Sequence, residues 1–237
     1  MIRFRLGELF CGPGGLGLGA KMASNGCIKH MWATDYDKDS CATYKENVKP
    51  RKIFCKDIKK LDLSKLEPVD MLAFGFPCND FSRVGEQKGI KGLFGCLYKH
   101  CLNAVDFFEP KVWVAENVSG LKNSNEGKAF EQILLEFQQL GYNLYPNLYK
   151  FEDYGIPQKR HRIIIVGIRE DVNVVYEKPS TKPYRKIDNS AKKALSKISK
   201  NVENNKKTKQ SPKVIERLKY IKEGENAFNA NIPKHLL

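Results

Sequence analysis

Short apolar runs and stretches of helical spacing alternate along the first two thirds of the chain, a pattern that predicts a layered α/β domain. Leu6 to Phe10 reads as a first strand. The segment Cys11-Gly-Pro-Gly-Gly-Leu-Gly-Leu-Gly-Ala20 then runs from a glycine turn into a helix. Ile28 to Thr34 is a second strand, Lys38 to Asn47 a helix, and Lys52 to Cys55 a short third strand leading to Asp57. Met71 to Phe76 is apolar without alternation, as in a strand buried on both faces of a parallel sheet. Pro77 has no N–H for the ladder, so that strand ends there. Asn79 to Gly95, with glycines at 85, 89, 92 and 95, reads as a long loop and a candidate lid. Leu97 to Phe108 reads as a helix and Lys111 to Val118 as a strand. Lys128 to Leu140 is helical and closed by Gly141, and Tyr142 to Phe151 and Ile163 to Ile168 supply the last strands.

Charge changes this picture at the other end of the chain. Residues 181–222 carry 14 Lys and Arg against 3 Asp and Glu, so most of the formal net charge of +14 sits in one stripe. A polyanion partner needs such a stripe, although a solvated linker would carry one too. The seven cysteines are odd in number and lack CxxC spacing, which points to reduced thiols rather than a disulfide frame or a zinc site. Four histidines without ligand spacing argue against a metal. With no run of 18 apolar residues and no signal-peptide shape, the expectation is a soluble cytoplasmic protein with no membrane partner.

The strand ends hold the candidate chemistry. Cys78 follows the central apolar run, on the edge where open α/β sheets place ligands, and a thiol there can act as a nucleophile. The glycines after Phe10 allow close backbone approach to a ligand. Asp35 comes about 20 positions after the turn, where a ribose hydroxyl would be held. Tyr36 could stack on an adenine, and Asp57 could accept from the amine of the same base. Helix capping is the plainer reading of either aspartate alone. The GKS/T ending of a phosphate loop is absent, which disfavours a nucleoside triphosphate; a dinucleotide or S-adenosylmethionine both stay open on this half. Glu116 and Asn117 close the next strand, and Arg160 and Arg162 enter the last one at alternate positions, on one face.

Taken together, the Phe10-Cys-Gly-Pro-Gly-Gly15 turn, Asp35, Asp57, Gly-Phe-Pro-Cys78, Glu116-Asn-Val118 and Gln158-Lys-Arg160-His-Arg162 resemble the DNA (cytosine-5)-methyltransferase family of bacterial restriction-modification systems. They occur in the family's order. The resemblance implies a Rossmann-like S-adenosylmethionine-dependent methyltransferase fold, a doubly wound and mostly parallel sheet. It implies Cys78 as the nucleophile on C6 of a flipped cytosine in double-stranded DNA, with Glu116, Arg160 and Arg162 holding the base. Burial is expected to raise the proton affinity of Glu116. Phe10, Gly12, Gly14, Gly15, Asp35, Tyr36, Asp57, Ile58 and Pro77 would hold the donor, with no metal.

Three features depart from the family pattern. Asn79-Asp80 follows the nucleophile where the family usually has Gln, Lys91 stands where an arginine is often found, and the lid looks short between Gly89 and Leu93. The expected division is a catalytic domain over 1–172, a basic linker over 173–214 and the opening of a target-recognition region over 215–237, with Gly224-Glu-Asn226 and Ile232-Pro-Lys-His-Leu236. That region reads as incomplete, so a second subunit carrying the rest of it is expected. A tRNA cytosine-5 methyltransferase, a remnant that only binds donor or DNA, and a dinucleotide oxidoreductase are the rival readings.

Overall fold

The computed structural model describes residues 4–77, 97–196, 198, 199 and 208–236, without the side chains of 123–126. Seven strands form one sheet: β1 (Phe4–Leu9), β2 (Ile28–Asp35), β3 (Lys52–Cys55), β4 (Met71–Phe74), β5 (Val112–Val118), β6 (Tyr142–Lys150) and β7 (His161–Arg169). Their order across the sheet is β3-β2-β1-β4-β5-β7-β6. The first five run parallel, and β7 enters antiparallel between β5 and β6. The order reverses between β1 and β4, which opens a crevice at their carboxyl ends.

Four helices accompany the sheet: α1 (Gly15–Ala23), α2 (Lys38–Asn47), α3 (Tyr98–Phe108) and α4 (Lys128–Gln138). Consecutive strand residues point to opposite faces, so one strand can serve two cores. Trp32 of β2 enters the larger cluster with Tyr98, Cys101 and Val105 of α3 and Ile133 and Phe137 of α4. Its neighbour Ala33 packs with Tyr44 and Val48 on the α2 side. Helices therefore cover both faces.

The strand boundaries differ from the sequence expectation where backbone geometry intervenes. β1 starts at Phe4 and stops at Leu9, because Phe10 takes a left-handed conformation with φ 53°. β4 ends at Phe74, ahead of Gly75, Phe76 and Pro77. β7 begins at His161, two residues early, since β6 and β5 both extend its ladder through Lys150–His161 and Val118–Arg162 pairs. α2 and β3 span the expected residues.

Two glycines make room for tryptophans in the larger core. A Cβ at Gly7 would stand 2.3 Å from the Trp32 ring, and one at Gly167 2.1 Å from the Trp113 ring. Trp113 is fully buried and packs on Phe137 with ring centres 4.5 Å apart. Gly167→Ala should therefore overpack the core and destabilise the domain by about 1–3 kcal/mol. At this chain length, thermal denaturation should show a drop of roughly 2–4 °C per kcal/mol. Gly19→Ala, exposed on α1 with nothing near its Cβ, should leave the midpoint unchanged or raise it slightly. An unchanged midpoint for Gly167→Ala would mean that the indole ring moves aside.

The described residues divide into two compact units, Met1–Asn189 and Ser190–Leu237. The second contains two short helices, α5 (Ala191–Ser196) and α6 (Pro212–Leu218). Ser211 caps α6 by accepting from the Val214 N–H, and Pro212 occupies the first turn, where a missing N–H costs nothing. Among the described residues no helix is long and apolar enough to cross a membrane.

Candidate active site

A cleft of about 620 Å³ opens at the carboxyl ends of β1 to β4. Phe10, Asp35, Tyr36, Asp57, Ile58 and Pro77, all named from the sequence, line it. Gly75, which opens the Gly-Phe-Pro-Cys78 run, lines it too, as do Thr34, Lys56, Lys59 and Leu97, which the sequence does not single out. Their types carry no signal of their own; only the position of Thr34 and Lys56 next to named strand-end residues could have pointed to them.

The glycine turn is fixed from two sides. The Gly12 N–H donates to Asp35 Oδ2 at 2.8 Å, while the Asp37 N–H donates to Oδ1 at 3.0 Å. A carboxylate can accept about four bonds, so Asp35 keeps capacity for a ligand hydroxyl. Gly14, at φ 104°, adopts a conformation that costs other residues energy, and a Cβ there would touch Tyr44 of α2 and Val48 just after it at 3.0 and 3.1 Å. Gly15 opens α1.

Capping, the plainer reading of either aspartate, holds for Asp57 and not for Asp35. Asp37, not Asp35, caps α2 through the Ser40 N–H at 2.7 Å. Asp57 does cap a short 3₁₀ turn, accepting from the Lys59 N–H at 3.0 Å, and it lines the cleft at the same time. Tyr36 is 76% exposed beside it, which leaves its ring face available for stacking.

These residues fit an adenosine-bearing donor. The cleft offers two carboxylates at the ends of adjacent strands, an open aromatic ring and the apolar surfaces of Phe10, Ile58 and Leu97.

A second group of residues gathers where β5 meets β4 and β7. Arg162 Nε lies 2.7 Å from Glu116 Oε1, and Arg160 Nη2 lies 3.6 Å from the same oxygen. Arg162 is held on both sides in the sheet, opposite Val118 and Tyr149, and its Nη1 donates to the His161 carbonyl at 2.8 Å. His161, between the two arginines, pairs with Glu152 at 2.6 Å. Glu116 is not buried as expected. Its side chain is 26% exposed and ion-paired, because it lies on the half-exposed face of β5, whereas Trp113, Ala115 and Asn117 on the other face are buried.

Two residues near the end of β5, Glu116 and Asn117, reach the segment after β4. A Cβ on Gly75 would lie 3.5 Å from Glu116 Oε2, and Asn117 Nδ2 donates to the Phe76 carbonyl at 3.3 Å. The chain leading toward Cys78 thus passes beside the Glu116–Arg162 pair. Cys78 itself, and the expected lid with Asn79, Asp80 and Lys91, lie outside the described residues.

Residues 4–236 match the profile of the C-5 cytosine-specific DNA methylase family. The chain is 44% identical to the type II methyltransferase M.BbvI of Brevibacillus brevis, over 99% of its own length and 67% of the relative's. It is 37% identical to M.NgoFVII of Neisseria gonorrhoeae, over 96% of this chain and 61% of that one. Among solved structures, an Escherichia coli prophage-encoded DNA modification methyltransferase superposes with a TM-score of 0.61 at 24% identity, covering 73% of this chain and 49% of the other. The S. pombe Dnmt2 methyltransferase gives 0.56 at 17% identity, covering 94% and 62%. The chain thus spans between about half and two thirds of the proteins it resembles.

Proposed function

We propose that this chain, which belongs to the C-5 cytosine-specific DNA methylase family, transfers a methyl group from S-adenosylmethionine to C5 of a cytosine flipped out of DNA. The observation that carries the reading is the junction of Glu116, Arg160 and Arg162 with the Gly75–Pro77 segment, at the edge of the cleft that suits an adenosine. A dinucleotide oxidoreductase would give that junction no task.

In this proposal Cys78 supplies an electron pair to C6 of the base, and the C5–C6 π electrons make C5 nucleophilic. Glu116 holds the base edge at N3 and the 4-amino group, where charge accumulates on addition. Arg162, with Arg160 beside it, orients Glu116 and grips the base carbonyl. When bound, S-adenosylmethionine supplies an electrophilic methyl group on a sulfonium centre. Loss of the C5 proton then restores the C5–C6 double bond and expels Cys78 as thiolate. The basic stripe over 181–222 would attract phosphates without reading sequence. A second polypeptide carrying more of the recognition region belongs to the same proposal.

The test is incorporation of labelled methyl from S-adenosylmethionine into duplex DNA and into tRNA, with and without the product of the neighbouring gene. Label on C5 of cytosine in DNA is the expected result. Label confined to tRNA would change the substrate, and donor binding without transfer under any condition would favour a binding remnant. Asp35→Ala should weaken S-adenosylhomocysteine binding by about 1–2 kcal/mol, roughly 5–30-fold by calorimetry. Equal affinity would reduce Asp35 to a strut for the Gly12 turn.

A further inference from the structure

One polar side chain of the cleft has nothing to bond to. Thr34 is the last buried residue of β2, one position before Asp35, and it lines the cleft. It is 1% exposed, and its hydroxyl oxygen has no hydrogen-bond partner among the described residues. The backbone there is fixed on both sides. Thr34 stands opposite Leu9 of β1 and Phe54 of β3, and its carbonyl accepts from the Cys11 N–H at 3.0 Å. A buried hydroxyl without a partner destabilises the fold, and valine would fill the same volume without that cost. At a binding cleft, such a group is one that a ligand can complete.

The hydroxyl also offers what the two carboxylates of the cleft lack. Asp35 and Asp57 only accept hydrogen bonds, so they suit the ribose hydroxyls and the 6-amino group of an adenosine. The ring nitrogens of adenine only accept as well, and need a donor. Four lining side chains can donate: those of Thr34, Tyr36, Lys56 and Lys59. Lys56 and Lys59 stand on either side of Asp57 in the chain, past the end of β3. The Tyr36 hydroxyl is at the far rim of a ring offered for stacking. Thr34 lies two residues after Trp32, so its side chain leaves β2 on the face that carries the larger core. Phe10, Ile58 and Leu97 belong to that core or pack on it, and they line the cleft too. The hydroxyl is thus on the apolar side of the cleft, which suits a purine ring.

We infer that Thr34 binds the methyl donor, its hydroxyl donating a hydrogen bond to N3 of the adenine ring. The inference rests on the donor reading above and deepens it. With Asp35 at the ribose and Asp57 at the 6-amino group, the ring is oriented end to end. N3 is the nitrogen on the ribose side, whereas N1 and N7 lie on either side of the amino group. The residue adjacent to Asp35 therefore meets N3. Because the hydroxyl has no bond to give up, this contact adds more to affinity than one that replaces an existing partner.

The experiment is calorimetric titration of the full chain with S-adenosylhomocysteine and with its 3-deaza and 7-deaza analogues. In these a C–H group replaces N3 or N7. The pH is kept mildly alkaline, so that every ring is uncharged. Wild type should bind the 3-deaza compound about 5–30-fold more weakly than the parent. Thr34→Val should weaken the parent by a similar factor, yet bind the parent and the 3-deaza compound alike. Thr34→Ser keeps the hydroxyl and should keep the discrimination. The ratio of parent to 7-deaza affinity should be the same in all three proteins. A purely structural role would weaken every compound together in Thr34→Val. Thr34→Ala carries the same comparison if the valine variant does not fold. Equal binding of the parent and the 3-deaza compound by wild type, or a discrimination that survives in Thr34→Val, overturns the inference and leaves the donor reading standing. Failure of the wild type to bind S-adenosylhomocysteine overturns both.

Discussion

Cys78→Ala is expected to abolish methyl transfer, by at least about 10⁴-fold in kcat, while donor affinity stays within about twofold. The large number follows from the chemistry. C5 of cytosine is a poor nucleophile until something adds to C6, and no neighbouring side chain named here can replace a thiolate in that addition. Serine at the same position would be far less effective, since its hydroxyl holds its proton at neutral pH. The small effect on donor binding follows from placement: the cleft is lined by the ends of β1 to β4 and by Leu97, with Pro77 its last described contributor before the cysteine. DNA containing 5-fluorocytosine supplies the decisive readout. Fluorine cannot leave C5 as a proton does, so elimination stalls and the base stays bonded to the nucleophile. A peptide carrying the adduct at Cys78 supports the assignment. An adduct at Cys55, the exposed cysteine in β3, or normal turnover by the alanine variant would remove Cys78 from the mechanism.

The residues that line the cleft were easier to anticipate from the sequence than the framework around it, and the reason is physical. Strand ends in an open parallel sheet collect at one edge, so Phe10, Asp35, Asp57 and Pro77 converge whatever the helices do. Periodicity likewise predicts α2 and β3 with their observed ends. It says nothing of partners across the sheet. That β7 runs antiparallel between β5 and β6 is a fact of pairing, and this pairing brings Arg162 to 2.7 Å from Glu116. A hydrogen bond between Glu8 of β1 and Tyr44 of α2 joins residues 36 positions apart on different elements. An acidic residue in an apolar strand hints at a buried carboxylate, but the hydroxyl that satisfies it is visible only in the fold. The misjudged burial of Glu116 has the same origin: β5 reads as buried on both faces, but burial alternates along it and Glu116 falls on the half-exposed face.

Glu116→Gln should lower kcat by about 10²–10⁴-fold, with a smaller change in the KM for DNA. Glutamine keeps the size of the side chain and can still touch the base edge, so ground-state contacts survive in part. It cannot carry the charge that stabilises a protonated N3 as Cys78 adds to C6, and that interaction exists only on the way to the transition state. The change also removes the ion pair to Arg162 at 2.7 Å and the longer contact to Arg160 at 3.6 Å. Arg160 is the more open of the two arginines, and the amide oxygen that replaces the carboxylate can still accept from the partly buried Arg162, so the change should cost the fold only about 1 kcal/mol. The midpoint of thermal denaturation should therefore barely move while turnover collapses. Pre-steady-state capture by 5-fluorocytosine DNA separates this from a loss of DNA binding: adduct formation should be slow in Glu116→Gln at saturating DNA. Adduct formation at the wild-type rate would confine Glu116 to holding Arg162, and a kcat within about threefold of wild type would remove it from the reaction altogether.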